Sequence, residues 1–136
     1  MIDVNVIFLC LWFAVFGACI GSFLNVLVYR LPRRESIVRP PSHCPCCGHL
    51  IRRHDNVPVF GWIKLRGKCR DCQSPISVRY PCVEGLCAIL FGSVFVLLYR
   101  LYDFPLGQLG ALTLLYSLLC VAVLAVCLIV YDKNNL

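Results

Sequence analysis

Charged side chains are absent from two long stretches of this 136-residue sequence, and acidic residues are scarce throughout it. Neither residues 4–29 nor residues 106–131 contain a Lys, Arg, Asp or Glu. With 60% hydrophobic residues and a mean hydropathy of +0.78, the chain is not an ordinary soluble domain. A removable signal peptide is disfavoured, because the first apolar run is long and no basic residue precedes it.

Three apolar blocks are present, and each approaches the length that crosses a bilayer. A transmembrane helix needs about 20 apolar residues, and the blocks cover residues 4–29, 82–101 and 106–131. The sequence therefore predicts an all-α membrane protein with about three transmembrane helices. The expected divisions are a first transmembrane helix in 1–29, a polar loop in 30–81 and two further transmembrane helices in 82–136.

Positive charge is concentrated in the loop between the first two blocks. Eleven of the 13 Lys and Arg residues lie from Arg30 to Arg79 with only three acids, which gives this window a net charge of +8. The positive-inside rule places the loop in the cytoplasm and the N-terminus and the 102–106 turn outside. Topology already requires these basic residues and few aromatics interleave with them, so we expect contact with membrane lipid and no nucleic-acid partner.

Two C-x-x-C pairs in this loop predict a metal site. Cys44 and Cys47 form the first pair, and Cys69 and Cys72 form the second, with 21 residues between the pairs. Two such turns supply the four tetrahedral ligands of a structural zinc ion. A pair of disulfides is the alternative, but a reducing cytoplasm disfavours it. We therefore expect a cytoplasmic zinc-ribbon-like loop.

Other residues of the loop leave the ligand set partly open. Cys46 lies between the first two predicted ligands, and a C-x-C pairing with Cys44 is an alternative. His43, His49 and His54 are near enough in the sequence to be considered, although four cysteines already complete a tetrahedral shell. The cysteines within the apolar blocks are interpreted as small buried residues.

Small and polar residues mark one part of the first apolar block. Gly17 and Gly21 form a G-x-x-x-G step, which permits the close approach of another helix. Ser22 and Asn25 extend this face. We expect the face to meet a neighbouring helix rather than lipid.

Several segments, in the family's order, resemble the bacterial type IV prepilin peptidases, an A24-type aspartic protease family. They are GSFLNV at 21–26, YRLP at 29–32, PSHCPCC at 41–47, DNVP at 55–58, LRGKCRDC at 65–72 and ISVRYPCVE at 76–84. The resemblance implies a multi-pass enzyme of the bacterial inner membrane that removes the leader from prepilins and type II secretion pseudopilins at the cytoplasmic face. It also implies N-methylation of the new amino terminus with S-adenosylmethionine. No glycine-rich cofactor loop is visible, so no residue is assigned to that donor.

The resemblance further implies two catalytic aspartates, and Asp132 matches the first by its position after a long apolar run. Two close carboxylates share a proton, so that one acts as acid while the other activates water. A solvated interfacial anchor is the alternative role for Asp132. Asp3 and Asp103 fall on the outer side in the expected topology. Glu84 lies on the correct side and could be near Asp132, but it is not predicted to replace the second aspartate.

The family's G-x-G-D segment, which carries the second aspartate, does not occur in these 136 residues. We therefore interpret the chain as the N-terminal half of a prepilin peptidase. We expect it not to cleave a prepilin unless a C-terminal half or a partner subunit supplies the missing carboxylate. The alternative function is a non-catalytic membrane module whose zinc-braced loop binds pilin substrate or a partner subunit.

Overall fold

A computed structural model describes residues 4–134, and most of this range is helical. The helices are α1 (Val4–Arg30), α2 (Phe60–Lys64), α3 (Arg79–Leu101) and α4 (Leu106–Asn134). By length and composition, α1, α3 and α4 can each cross a membrane. Over the described range the chain forms two isolated antiparallel bridges but no strand. The predicted all-α membrane architecture, with its loop between the first two long helices, is confirmed. Asp3 lies outside the described residues.

α1 and α3 pack closely through the two glycines of the G-x-x-x-G step. A Cβ atom added to Gly17 would lie 2.5 Å from the carbonyl oxygen of Cys87. A Cβ atom added to Gly21 would lie 2.8 Å from the Cα atom of Glu84. Since no side chain fits at either position, the glycines set the distance between the two helix backbones.

Polar and aromatic side chains complete the interface between α1 and α3. Asn25, on the predicted small face, donates a hydrogen bond of 3.1 Å to the carbonyl oxygen of Tyr80. Phe13 of α1 stacks on Phe95 of α3 with ring centroids 5.1 Å apart. Phe91 of α3 is fully buried. The main core of the bundle therefore lies between these two helices.

α4 packs on the α1–α3 pair through one stripe of side chains. Leu109, Thr113, Ser117 and Val121 follow one another at intervals of four residues, and all are buried. The Thr113 hydroxyl donates a 2.8 Å hydrogen bond to the carbonyl oxygen of Leu109 within the same helix, so its burial costs little. Many apolar side chains on the other faces of α4 are exposed, as a lipid-facing helix requires.

The loop between α1 and α3 is tied to both helices. Arg30, the last residue of α1, is buried, and its guanidinium donates 2.8 Å hydrogen bonds to the carbonyl oxygens of Ser36 and Pro40. Farther along, the backbone N–H of Val59 donates a 2.6 Å hydrogen bond to Oε2 of Glu84 on α3. These contacts fix where the loop leaves α1 and where it meets α3.

Replacing Gly21 with alanine should destabilise the bundle by about 1–3 kcal/mol, because the added methyl group has no space against α3. Gly85→Ala is the matched control, since a Cβ atom at Gly85 meets nothing within 4 Å and alanine favours a helix. Unfolding in mixed micelles of increasing SDS content, followed by circular dichroism, measures both variants. Equal stability of Gly21→Ala and the unchanged protein would contradict the close packing.

Candidate metal centre and acidic site

The first C-x-x-C segment is a tight turn closed by backbone hydrogen bonds. The N–H of Cys44 donates to the carbonyl oxygen of His49, and the N–H of Gly48 donates to that of Cys44, each at 2.9 Å. Gly48 has φ +74°, a left-handed conformation that glycine adopts without strain. An antiparallel bridge joins His43 to Leu50 at the base of the turn. The local sequence therefore builds a compact turn around its cysteine pair.

The second C-x-x-C segment repeats this turn. The N–H of Cys69 donates to the carbonyl oxygen of Ser74 at 2.8 Å, and the N–H of Gln73 donates to that of Cys69 at 3.0 Å. Gln73 takes the left-handed place that glycine has in the first turn, with φ +59°. A bridge between Lys68 and Pro75 closes its base. The two turns form the ribbon-like pair that the spacing predicts.

The four cysteines of these turns lie together, with their sulfur atoms all within 4.8 Å of one another. Sγ of Cys44 is 3.8 Å from Sγ of Cys72. Sγ of Cys47 is 4.0 Å from Sγ of Cys69. Zn–S bonds of about 2.3 Å in a tetrahedron place the sulfurs about 3.8 Å apart, whereas bonded disulfide sulfurs are about 2.05 Å apart. The group therefore fits a tetrahedral metal ion and is not a pair of disulfides.

Cys46 and the three histidines of the loop stay outside this group, which is the metal-binding candidate found within residues 4–134. Cys46 is exposed. Nδ1 of His43 lies 3.1 Å from the carbonyl oxygen of Pro41, and Nε2 of His54 lies 3.5 Å from Oδ1 of Asp55. The alternative C-x-C pairing is therefore not the arrangement found.

Hydrogen-bond donors around the sulfurs favour thiolates at two of the four positions. The backbone N–H of Cys47 and the hydroxyl of Ser74 lower the pKa of Cys44 from 9.0 to about 6. Ser74 likewise lowers the pKa of Cys72. The backbone N–H of His49 acts to lower the pKa of Cys47, but burial and the neighbouring thiols outweigh it and raise the pKa to about 12. A dication held by the four sulfur atoms would stabilise the negative charge of their thiolates.

A partly buried ion pair connects the second turn to the preceding segment of the loop. Arg70 lies between the cysteines of that turn and donates from Nε and Nη2 to the two carboxylate oxygens of Asp55, each at 2.6 Å. Asp55 belongs to a short 3-10 turn (Arg53–Asp55), and its side chain is 3% exposed. Hydrogen bonding from Arg70 lowers the pKa of Asp55. Gly61 of α2 packs so closely on the Asp55 backbone that no Cβ atom fits there.

Asp132 lies near the end of α4 and forms an ion pair with the start of α3. Its Oδ1 is 2.7 Å from Nη1 of Arg79, and its side chain is 18% exposed. Asp132 is therefore at the end of the bundle from which the cysteine-bearing loop emerges. Glu84 instead accepts the N–H of Val59 with its Oε2 and contributes no ion pair here among the described residues. Asp103 lies in the turn between α3 and α4, at the opposite end.

Sequence reasoning gave no individual role to Arg79, to the Asp55–Arg70 pair or to Ser74. A signal for Arg79 was present: it precedes the second apolar block as Asp132 follows the third, and antiparallel helices bring those ends together. Ser74 had a weaker signal, its position two residues after the last predicted ligand. Nothing in the sequence pairs Asp55 with Arg70, because their contact depends on how the loop folds.

Comparison with known proteins relates this chain to one family. Residues 15–98 match the family described as Bacterial Peptidase A24 N-terminal domain. A prepilin leader peptidase/N-methyltransferase of Myxococcus xanthus is 54% identical over 83 residues, which cover 58% of this chain and 25% of that protein. A protein of the same name from Pseudomonas putida is 38% identical over 132 residues, which cover 81% of this chain and 44% of that protein.

A third relative, the type 4 prepilin-like proteins leader peptide-processing enzyme of Escherichia coli, is 43% identical over 93 residues, 55% of this chain and 35% of that protein. The chain thus spans less than half of the length of these curated relatives. No solved structure matches. The range 15–98 contains all four grouped cysteines and Arg79, and it ends before α4 and Asp132.

We expect the purified protein to carry one zinc ion per chain and the Cys47→Ser variant to lose it, because three thiolates bind zinc less tightly than four. Cys46→Ser is the matched control, since Cys46 is the adjacent residue but lies outside the group of four. Inductively coupled plasma mass spectrometry gives the metal content of each variant. Zinc loss from Cys46→Ser with retention in Cys47→Ser would show that the C-x-C pairing binds the metal.

Asp55→Asn should lower the free energy of local opening of the loop by about 1–2 kcal/mol, because it breaks a charge-assisted pair whose carboxylate is buried and whose guanidinium is 34% exposed. Asp71→Asn is the control: its partner Arg52 is 3.6 Å away and 56% exposed, so we expect a loss below about 0.5 kcal/mol. Hydrogen–deuterium exchange at pH 7 measures both changes.

The choice of pH 7 follows from the sign of the shift at Asp55. A lowered carboxyl pKa means that the stabilisation is fully present above the ordinary value of 3.8 and is lost as the pH falls through the lowered value. Equal exchange in the Asp55→Asn and Asp71→Asn variants at pH 7 would contradict a bracing role for the pair.

Proposed function

The chain belongs to the bacterial A24 peptidase family, whose N-terminal domain its residues 15–98 match, and from that membership we propose that it serves in prepilin processing. The proposed reaction is removal of the leader peptide from prepilins and pseudopilins at the cytoplasmic membrane face. Methylation of the new amino terminus follows it. The observation that carries this proposal is the similarity to proteins named prepilin leader peptidase/N-methyltransferase.

We assign Asp132 the role of one catalytic carboxylate. Its support is its place at the loop end of α4 and the ion pair that fixes it: Arg79 holds Oδ1 at 2.7 Å and so limits the orientations of the carboxylate. In a two-carboxylate peptidase, one group removes a proton from the attacking water and the other donates a proton during bond cleavage. Both tasks require a carboxylate whose position is defined.

The second carboxylate of this mechanism is proposed to come from another polypeptide segment or from a partner subunit. Glu84 is not proposed for the task, because its Oε2 accepts the N–H of Val59 at 2.6 Å and this hydrogen bond ties the loop to α3. Asp103 is excluded by its location in the turn at the other end of the bundle.

The zinc ion proposed for Cys44, Cys47, Cys69 and Cys72 is structural. Four thiolates complete a tetrahedral shell, so no position on the metal stays open for a substrate or a water nucleophile. The four cysteines would hold the ion between the two turns, and the Asp55–Arg70 pair joins the second turn to the rest of the loop. The S-adenosylmethionine donor is proposed from the methyltransferase name of the relatives alone, and no residue is assigned to it.

The loop is proposed to face the cytoplasm of a bacterial inner membrane. The positive-inside rule supports this orientation, since the loop carries most of the basic residues. The same orientation brings Asp132 to the side on which prepilin leaders are synthesised. In this orientation lipid surrounds the three long helices, and prepilins or pseudopilins are the protein partners.

Asp132→Asn is expected to reduce leader removal by about 10²–10⁴-fold in cells whose prepilin peptidase contains this chain, because a carboxamide cannot carry the proton in the reaction. Asp103→Asn, at the opposite end of the bundle, is the matched control and should process prepilin normally. The ratio of mature to unprocessed pilin on an immunoblot measures the effect, and zinc content reports on folding.

Unchanged processing by an Asp132→Asn variant would contradict the catalytic assignment. It would favour the second candidate, a non-catalytic module in which Asp132 is an interfacial anchor. That candidate has support from the Arg79–Asp132 ion pair, because such a pair also stabilises the contact between α3 and α4 without any chemistry.

A further inference from the structure

Part of the basic loop carries exposed apolar side chains. Phe60 and Ile63 of α2 are 72% and 58% exposed, and Val57 just before the helix is also exposed. Phe60 and Ile63 are three residues apart, so they lie on one face of this short helix. Exposed apolar groups in contiguous patches indicate a surface that meets a partner or a membrane.

α2 begins beside the first turns of α3. The N–H of Val59, immediately before α2, donates a 2.6 Å hydrogen bond to Oε2 of Glu84. α3 begins at Arg79, and Glu84 is its sixth residue. The Cα atom of Glu84 therefore lies about 7.5 Å from that of Arg79 along the helix axis. Helix side chains point toward the helix N-terminus, which places the start of α2 within the first two turns of α3.

These first turns are part of the membrane-crossing length of the bundle. The ion pair of Arg79 with Asp132 marks where α3 and α4 end on this side. Glu84 lies on the membrane side of that pair, and its backbone packs against Gly21 of α1. Gly21 is nine residues before the end of α1, or about 13 Å inside that helix. The start of α2 is therefore at the edge of the apolar layer.

A cleft between α1 and the loop indicates that the loop also lies against α1. It has a volume of about 380 Å³, and its lining includes Cys19 and Arg30 of α1 together with Val38 and Pro58 of the loop. Cys19 lies eleven residues before the end of α1, about 16 Å inside the helix. Exposed Val38 therefore lines a cleft that extends from the end of α1 to its membrane-crossing part.

We propose that residues 57–63 form an interfacial membrane anchor, which lies in the leaflet on the loop side with Phe60 and Ile63 in contact with lipid acyl chains. Lipid is the occupant because the patch begins within the first two turns of α3, at the edge of the apolar layer, and because the surrounding loop has a net charge of +8 over residues 30–79, which anionic headgroups attract. Lys64 at the end of α2 is also exposed and long enough to reach phospholipid headgroups.

The rest of the loop holds α2 in place while one face stays uncovered. A five-residue helix is not stable by itself, but Gly61 packs on the Asp55 backbone and Nε1 of Trp62 donates to the carbonyl oxygen of Ile76. Phe60 and Ile63 stay exposed beside these contacts. Insertion of an apolar face by roughly 5–10 Å into the headgroup and acyl boundary is typical of interfacial helices. The proposal needs only that the long helices cross a membrane, and it does not depend on the proposed peptidase activity.

Photocrosslinking in nanodiscs of phosphatidylethanolamine and phosphatidylglycerol tests the anchor. p-Benzoylphenylalanine is placed at Phe60 or at Ile63, and phospholipid adducts are counted by mass spectrometry. The same probe at Ile89, which is 70% exposed on α3, is the lipid-facing reference. The probe at Lys68, an exposed charged residue beside the grouped cysteines, is the water-facing reference.

We expect adduct yields at positions 60 and 63 within about twofold of the yield at 89 and about tenfold above that at 68. Yields as low as at position 68, with normal adducts at 89, would overturn the proposal. Adducts from position 60 or 63 to a second protein chain would also overturn it, because a protein would then cover the patch. Zinc content and circular dichroism identify any variant that fails to fold, and the other position then carries the test.

Discussion

The position of the cysteine-bearing loop relative to the membrane helices depends on Glu84. A carboxylate buried near the apolar layer is costly unless it is hydrogen-bonded, and Glu84 receives the backbone N–H of Val59 at 2.6 Å. α1 can pack over this site because Gly21 has no side chain to occupy the space. Since the donor belongs to the loop, the loop cannot move away from α3 without leaving the carboxylate unpaired.

From Glu84 a series of contacts leads to the cysteines. α2 begins at the Glu84 contact, Gly61 of α2 packs on the Asp55 backbone, and Asp55 is bound by Arg70 between the cysteines of the second turn. The loop has no sheet and no long helix among its described residues, so its own apolar core is small. Units of this size usually need a metal or a disulfide to fold. Four grouped thiols satisfy that need, while the carboxylates fix the unit to the bundle.

The features predicted from the sequence are those with local signals. Apolar runs gave the three spans, the C-x-x-C spacing predicted the cysteine group that the structure brings together, and ordered segments gave the family resemblance, which is confirmed. The contacts that were not predicted join residues distant in the sequence. Glu84 accepts a hydrogen bond from a backbone group of the loop rather than from a group near Asp132, and no local pattern reveals such a partner. α3 also begins at Arg79, three residues before the apolar block, where the Ser77 hydroxyl accepts the backbone N–H of Arg79 and Asp132 pairs with its guanidinium.

The metal centre and Asp132 are linked through a short piece of chain. Between Cys72 and Arg79, the N–H of Ile76 donates to the carbonyl oxygen of Gly67 at 2.7 Å, and Nε1 of Trp62 donates to the carbonyl oxygen of Ile76 at 3.0 Å. The second turn therefore continues through a fixed segment into the first residue of α3. Arg79 in turn donates a 2.7 Å hydrogen bond to Asp132. Contacts that fix the second turn therefore also restrict the position of the Asp132 carboxylate. An ion held by the four cysteines would in this way affect an acid on another helix without offering it an open coordination position.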